Sequence, residues 1–307
     1  MSISLISKQM AIILPKMLCF LMLMIPFQSF ADDYLRGDCT EDGKVDIDDV
    51  TALIGYILNG KWPEQIDPEK PETKTFTVGN VSFTMVLVEA GTFRMGANDD
   101  DTQARENEKP AHNVTITKDY YIGETEVTRY LWQAVMGSIY NLSGNMNRPM
   151  ELVDWNQCQA FITKLNELTG EVFRFPTEAE WEFAARGGNK SKGYLYSGSN
   201  VFNEIGWCVD NTNTQTQPVA TKAPNELGLY DMSGNVSEWC QDWLGDYSSE
   251  PQIDPVGPST GSFRVLRGGD EFDHMRNCRV SCRQGGYQTH PTFAKDGKGL
   301  RIVLEIQ

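Results

Sequence analysis

The chain has 307 residues, 40% hydrophobic and 10% aromatic, enough to bury one substantial core and a small second module. Its 42 acidic side chains outnumber 27 basic ones, for a formal charge of −15, and no Lys/Arg-rich run occurs. Nucleic acid and anionic membrane are excluded as partners favoured by charge, whereas divalent cations and neutral ligands suit the balance.

In chain order, the first segment reads as a leader. Lys8 and Lys16 precede an apolar run from Met17 to Phe27, and Ser29-Phe30-Ala31 sets small residues at the −3 and −1 positions of a cleavage site. The run is too short to span a bilayer comfortably. Residues 1–31 are therefore expected to be a signal peptide, and the protein to be exported to the periplasm, the cell surface or the medium. No later segment is long and apolar enough to hold it in a membrane. Beyond Cys19 of the leader stand Cys39, Cys158, Cys208, Cys240, Cys278 and Cys282, whose pairing spacing alone does not choose. Cys158 lies within a helical pattern and reads as a small buried hydrophobe.

Residues 32–62 hold an acidic loop and one helix. Asp38, Thr40, Asp42, Asp46 and Asp49 recur at the first, third, fifth, ninth and twelfth loop positions. Gly43 falls where the chain must turn, and Lys44 would offer its backbone carbonyl. Calcium is a hard ion that takes six to eight oxygens, and this spacing wraps them round one point. The apolar helix of a loop–helix half-hand follows from Val50 to Leu58. The segment resembles half of a dockerin module, with Thr40 and Asp49 replacing stronger ligands. Residues 63–75, with three prolines, read as an extended linker.

Residues 76–307 read as one domain. Strands are expected over 75–88, 114–116, 264–266 and 300–306, and an alternating pattern points to another over 279–283. A helix is expected to begin at Thr128 and run to Met136. A second spans 154–168, with Cys158, Phe161, Ile162 and Leu165 at helical spacing and Gly170 ending it. A third opens on a Thr177/Glu180 capping box, carries Trp181 and Phe183 into the core, and stops at Gly187-Gly188. The rest reads as structured loop, which metal or disulfides commonly hold.

Five motifs occur in order: Phe93-Arg94-Met95-Gly96, Glu124-Thr125-Glu126-Val127-Thr128, the run from Arg174-Phe175-Pro176-Thr177-Glu178 to Arg186-Gly187-Gly188, the run from Gly228-Leu229-Tyr230-Asp231 to Glu238-Trp239, and Arg267-Gly268-Gly269. Together they resemble the sulfatase-modifying-factor (formylglycine-generating-enzyme-like) family over about three quarters of the chain. The resemblance implies an α+β, irregular, loop-rich fold related to C-type lectins. It also implies a calcium site formed by the Asp231 and Glu238 side chains with the carbonyls of Gly234 and Val236. The other reading of that turn is an Asp/Glu pair bonding the turn's own amides. Cys240 and Cys278 stand where similar members commonly carry cysteine, which implies that they lie close and bond.

Catalytic members of the family use two cysteines after a Gly-Gly-Ser, five residues apart, to hold copper(I), for which soft thiolates are suited. Here Asp270 replaces the serine, and Cys278 and Cys282 stand four apart. On an extended strand their sulfurs would lie ~13 Å apart. This argues against copper, and no catalytic residue is assigned. Gly299-Leu300-Arg301 stands where the family has Gly-Phe-Arg, and 285–298 shows no match. His274 and His290 read as solvated loop residues and His112 as structural. The expected function is an exported, non-catalytic binding or scaffold protein for a glycan or protein ligand. The alternatives are a formylglycine-generating oxidase acting on a sulfatase cysteine, and a structural component of the cell surface or a secretion apparatus.

Overall fold

The computed structural model describes residues 71–98, 101–139, 144–284, 290–292 and 297–306. The chain divides into two compact units, Met1–Pro68 and Glu69–Gln307, and every described residue belongs to the second. The leader, the 38–49 loop with its helix, and the linker up to residue 70 lie outside the described residues.

The unit opens with strands β1 (Thr73–Val78), β2 (Val81–Val88), β3 (Gly91–Met95), β4 (His112–Ile116) and β5 (Tyr120–Gly123). Helices α1 (Arg129–Met136) and α2 (Trp155–Thr169), strand β6 (Phe173–Arg174) and helices α3 (Glu178–Ala185) and α4 (Phe202–Ile205) follow. The last third contributes β7 (Ser237–Trp243), β8 (Gln252–Ile253), β9 (Arg264–Arg267), β10 (Arg283–Gln284), β11 (Lys298–Gly299) and β12 (Val303–Glu305). These strands form three small sheets, ordered β1-β2-β5-β12-β6, β10-β9-β7-β11 and β3-β4-β8. It is a mixed helix-and-sheet fold in which loops carry much of the chain. Among the described residues no helix is long and apolar enough to cross a membrane.

The strand expected over 75–88 is a hairpin. Gly79-Asn80 turns the chain, with Gly79 at φ +62°, and Thr73 to Thr75, read above as the linker's end, pair with Val86, Met85 and Thr84. The three expected helices form where their caps place them. Thr128 accepts a hydrogen bond from the Leu131 amide, and Asp154/Gln157 and Thr177/Glu180 form reciprocal capping boxes. Gly137 and Gly170 end α1 and α2 in the left-handed conformation.

Two apolar clusters fill the unit. One packs α1 and α2 on the five-stranded sheet, with Trp132 stacked on Phe161 at 4.8 Å. The other surrounds α3 and includes Trp181, Phe183, Val265 and Val280. Every residue of α3 is buried, including Glu178, Glu180 and Glu182. Burying three carboxylates requires partners. Arg283 chelates Glu178 at 2.5 and 2.7 Å, Arg174 chelates Glu180 at 2.7 Å, and Glu182 meets both Arg186 and Arg267.

Candidate functional site: the 231–238 turn and the Gly-Gly-Asp cleft

The four residues expected to hold calcium do lie on one buried turn leading into β7. Gly234 has φ +97°, and a Cβ there would meet the Trp207 carbonyl oxygen at 2.0 Å, so only glycine fits. Its amide donates to the Gly268 carbonyl at 2.8 Å, and the Asn235 amide donates to the Trp207 carbonyl at 2.8 Å. The turn is thus wedged between the Trp207 loop and Gly268-Gly269.

Its carboxylates bond outward. Glu238 is fully buried and receives the Arg301 guanidinium at 2.8 Å and the Trp181 indole N–H at 2.6 Å. Arg301 also donates to the Gly123 and Tyr230 carbonyls, each at 2.8 Å. Asp231 Oδ2 accepts from the Ala220 amide at 2.7 Å, while Oδ1 is buried with no hydrogen-bond partner. Burial pushes the Asp231 carboxyl up to about 6 and raises neighbouring Glu126 well above the usual range. The reading in which Asp231 and Glu238 bond the turn's own amides is therefore corrected. A calcium ion here would have to displace Arg301 from Glu238, whereas Asp231 Oδ1 has no hydrogen-bond partner. Among the described residues no group of three or more His, Cys, Asp or Glu side chains is arranged to hold a metal ion.

The adjoining polar network is built on the next turn. Gly268 and Gly269 take φ of +91° and +75°, which leads β9 into Asp270. Strand β11 pairs in parallel with β7, with Lys298 opposite Ser237, and this register brings Lys298 to Asp270. Asp270 Oδ2 accepts from Lys298 Nζ at 2.8 Å and from the Ser237 hydroxyl at 3.2 Å. Gln284 donates to Ser237 Oγ at 3.0 Å and to Asp273 at 2.7 Å, and Asn277 donates to Asp273 at 2.7 Å. Behind them Glu271 is 1% exposed with Oε2 unpartnered. Burial, then Glu151 and Asp270, push its carboxyl up to about 9. Glu151 itself is held by Arg129 at 2.7 Å and the Thr216 hydroxyl at 3.1 Å. Together these residues form a connected, buried network of hard oxygens and one ammonium.

The described cysteines, Cys158, Cys208, Cys240, Cys278 and Cys282, are all free and buried. The strand expected over 279–283 is instead a turn, closed by the Cys282 amide on the Arg279 carbonyl at 3.0 Å. Only Arg283 and Gln284 are extended, so the ~13 Å separation of an extended strand does not apply to Cys278 and Cys282. The expected Cys240–Cys278 bond is not formed. Cys240 packs in the cluster around α3, and Cys278 in a smaller one with Tyr196, Phe202, Ile205 and Cys208. Cys278 lies against the backbone of Gly269, where an added Cβ would stand 2.7 Å from its sulfur. Burial, with Asp273 next in effect, raises the Cys278 thiol well above its ordinary range, and burial pushes Cys282 up to about 11. Both favour the protonated thiol over the thiolate that soft metals and nucleophilic chemistry need.

A family model described as the sulfatase-modifying factor enzyme 1-like domain matches residues 70–306. The chain belongs to the sulfatase-modifying factor family. Among its relatives, a protein named chaperone protein LppX from Paenibacillus barcinonensis is 33% identical over 259 residues, covering 67% of this chain and 85% of that protein. A formylglycine-generating enzyme from Thermomonospora curvata is 30% identical, covering 65% of this chain and 87% of that protein. The structure of Treponema denticola variable protein 1 superposes with a TM-score of 0.68 at 34% identity, covering 77% of this chain and all of that one. PvdO from Pseudomonas aeruginosa gives 0.64 at 26% identity, covering 77% and 99%.

Within this family member, the sequence pointed to the Asp270 position but missed its partners. Lys298, Glu271, Gln284 and Glu151 carry no local motif, and they reach the cleft through strand pairing and loop packing. His274, expected on a loop, is 63% exposed and sits 3.1 Å from Asp210. His112 is buried against Tyr247, and His290 lies 2.9 Å from the Thr292 hydroxyl.

Proposed function

We propose that this family member is an exported, non-catalytic binding or scaffold protein that holds a glycan or protein ligand on its loop-rich, lectin-like surface. The observation that carries the reading is the cleft at Asp270. Where the oxidase has a serine, a carboxylate stands clamped by Lys298 and Ser237, and the Cys278 thiol nearby is buried and raised in pKa. A hard carboxylate is a poor ligand for soft copper(I). In this reading the paired charges and amides of the network hold in place the loops that meet a polar ligand. The oxidase remains the second reading, supported by the relatives named formylglycine-generating enzymes. The test is an array of glycans and peptides probed with the full chain. We expect saturable retention on a subset, weakened by Lys298→Met, and retention on neither class would contradict the reading.

Calcium belongs to this proposal at the 38–49 loop, whose oxygen spacing supports it. Calcium titrated into the full chain should release or absorb heat, and Asp42→Ala should remove most of that signal by deleting a carboxylate ligand. At the 231–238 turn the Arg301–Glu238 pair supports a guanidinium in place of the ion.

A further inference from the structure

Two turns meet beside Gly269-Asp270, and each carries a buried cysteine. Cys208 and Cys278 are both 0% exposed and share one small apolar cluster. Hydrogen bonds strap the two turns together. The Val209 amide donates to the Asp273 carbonyl at 3.0 Å, the Met275 amide donates to Asp210 Oδ2 at 3.3 Å, and His274 Nδ1 lies 3.1 Å from Asp210 Oδ1. Both sulfurs reach this strap. Cys208 Sγ donates to Asp210 Oδ2 at 3.6 Å and Cys278 Sγ to the His274 carbonyl at 3.8 Å, so each thiol contacts one member of the Asp210–His274 pair. Cys158 and Cys240 pack in the two larger clusters.

We infer that Cys208 and Cys278 form a dithiol that closes to a disulfide when the folding chain meets a disulfide oxidant such as oxidised glutathione. One thiolate attacks the oxidant to give a mixed disulfide, and the second thiolate displaces the bound half. The protein gives up two protons and two electrons as one S–S bond forms, and the oxidant leaves as two thiols. The bond would close a loop of about 70 residues and restrict the unfolded chain. It would also pin the Trp207 turn to Cys278, which packs on Gly269, and so fix the floor of the cleft. The inference rests on the shared cluster and the hydrogen-bonded strap, and needs neither the ligand nor the non-catalytic reading.

The experiment is to refold the full chain in a glutathione redox buffer, block free thiols by alkylation, digest, and map cysteines by mass. The expected result is a peptide joining Cys208 to Cys278. Reduction should then lower the melting midpoint, and Cys208→Ala should show no such drop. Finding both cysteines alkylated, or Cys278 joined to Cys39, Cys240 or Cys282, overturns the assignment. If Cys208→Ala does not fold, the map of the unsubstituted chain decides alone.

Discussion

Arg301→Met should destabilise the fold by ~3–5 kcal/mol, as expected when one partner of a buried ion pair is removed. Arg301 and Glu238 are 0% and 1% exposed in their side chains, so water cannot replace the lost partner. The guanidinium is also the shared counter-charge of Glu238, Glu126 and Asp231, in that order of influence. Without it three buried carboxylates face one another, and the Gly123 and Tyr230 carbonyls lose a donor. Urea unfolding of the variant beside the unsubstituted chain measures the loss. The double variant Arg301→Met/Glu238→Gln should recover part of it, because the stranded charge is then gone. A single variant as stable as the parent would show that Glu238 has another counter-ion, calcium first among the candidates.

Stability should fall as pH rises from about 5 through 8, and Asp242→Asn should flatten that decline. Burial, then Glu178, pushes the Asp242 carboxyl from 3.8 to about 8, and Glu271 is raised to about 9. The folded chain keeps these protons at pH values where the unfolded chain has released them. Between the two pKa values the native state binds more protons, so each rise in pH favours unfolding. Glu182 acts in the opposite sense. Despite its burial, Arg186 and Arg267 hold its carboxyl below 4.5, and its contribution is lost only in acid. The amide of an Asn at 242 still offers the acceptor that the Glu178 amide needs while removing the cost of deprotonation. With the Asp242 carboxyl raised from 3.8 to about 8, at roughly 1.4 kcal/mol per pH unit, the variant should gain up to about 5 kcal/mol at pH 8 and little near pH 4. Chemical unfolding at several pH values reads both, and equal slopes for the two proteins would contradict the assignment.

What the sequence made legible follows the range of the physics involved. The helices announce themselves within three or four residues, through Thr128, the Asp154/Gln157 and Thr177/Glu180 boxes, and the glycines that end α1 and α2. The β1–β2 hairpin was equally local, in Gly79-Asn80 between two alternating runs, and the longer strand expected across it ignored that turn. Strands β6, β8, β10 and β11 are two residues each, too short for any period to register. The Arg279–Arg283 stretch alternates like a strand, yet all five side chains are buried. Its arginines turn inward because Glu108 and Glu178 receive them. Those partners lie more than a hundred residues away in the chain, and Glu238 and Arg301 pair across 63 residues. Family motifs drew attention to the 231–238 turn and to Asp270. They did not reveal that Arg301 occupies Glu238, or that Lys298 occupies Asp270, because a long-range ion pair leaves no pattern in its neighbours.

We propose that the carboxylate–lysine network at Asp270 stands in place of oxidase chemistry. The measurement that tests it most directly is incubation of the purified full chain with copper(I), oxygen and a cysteine-containing sulfatase peptide, followed by mass analysis for the aldehyde. No aldehyde is expected above a control without protein, because Asp270 is a hard ligand tied to Lys298 and burial raises the pKa of the neighbouring Cys278 thiol. Aldehyde formed at a rate that depends on the protein, and lost on Cys278→Ser, would contradict it.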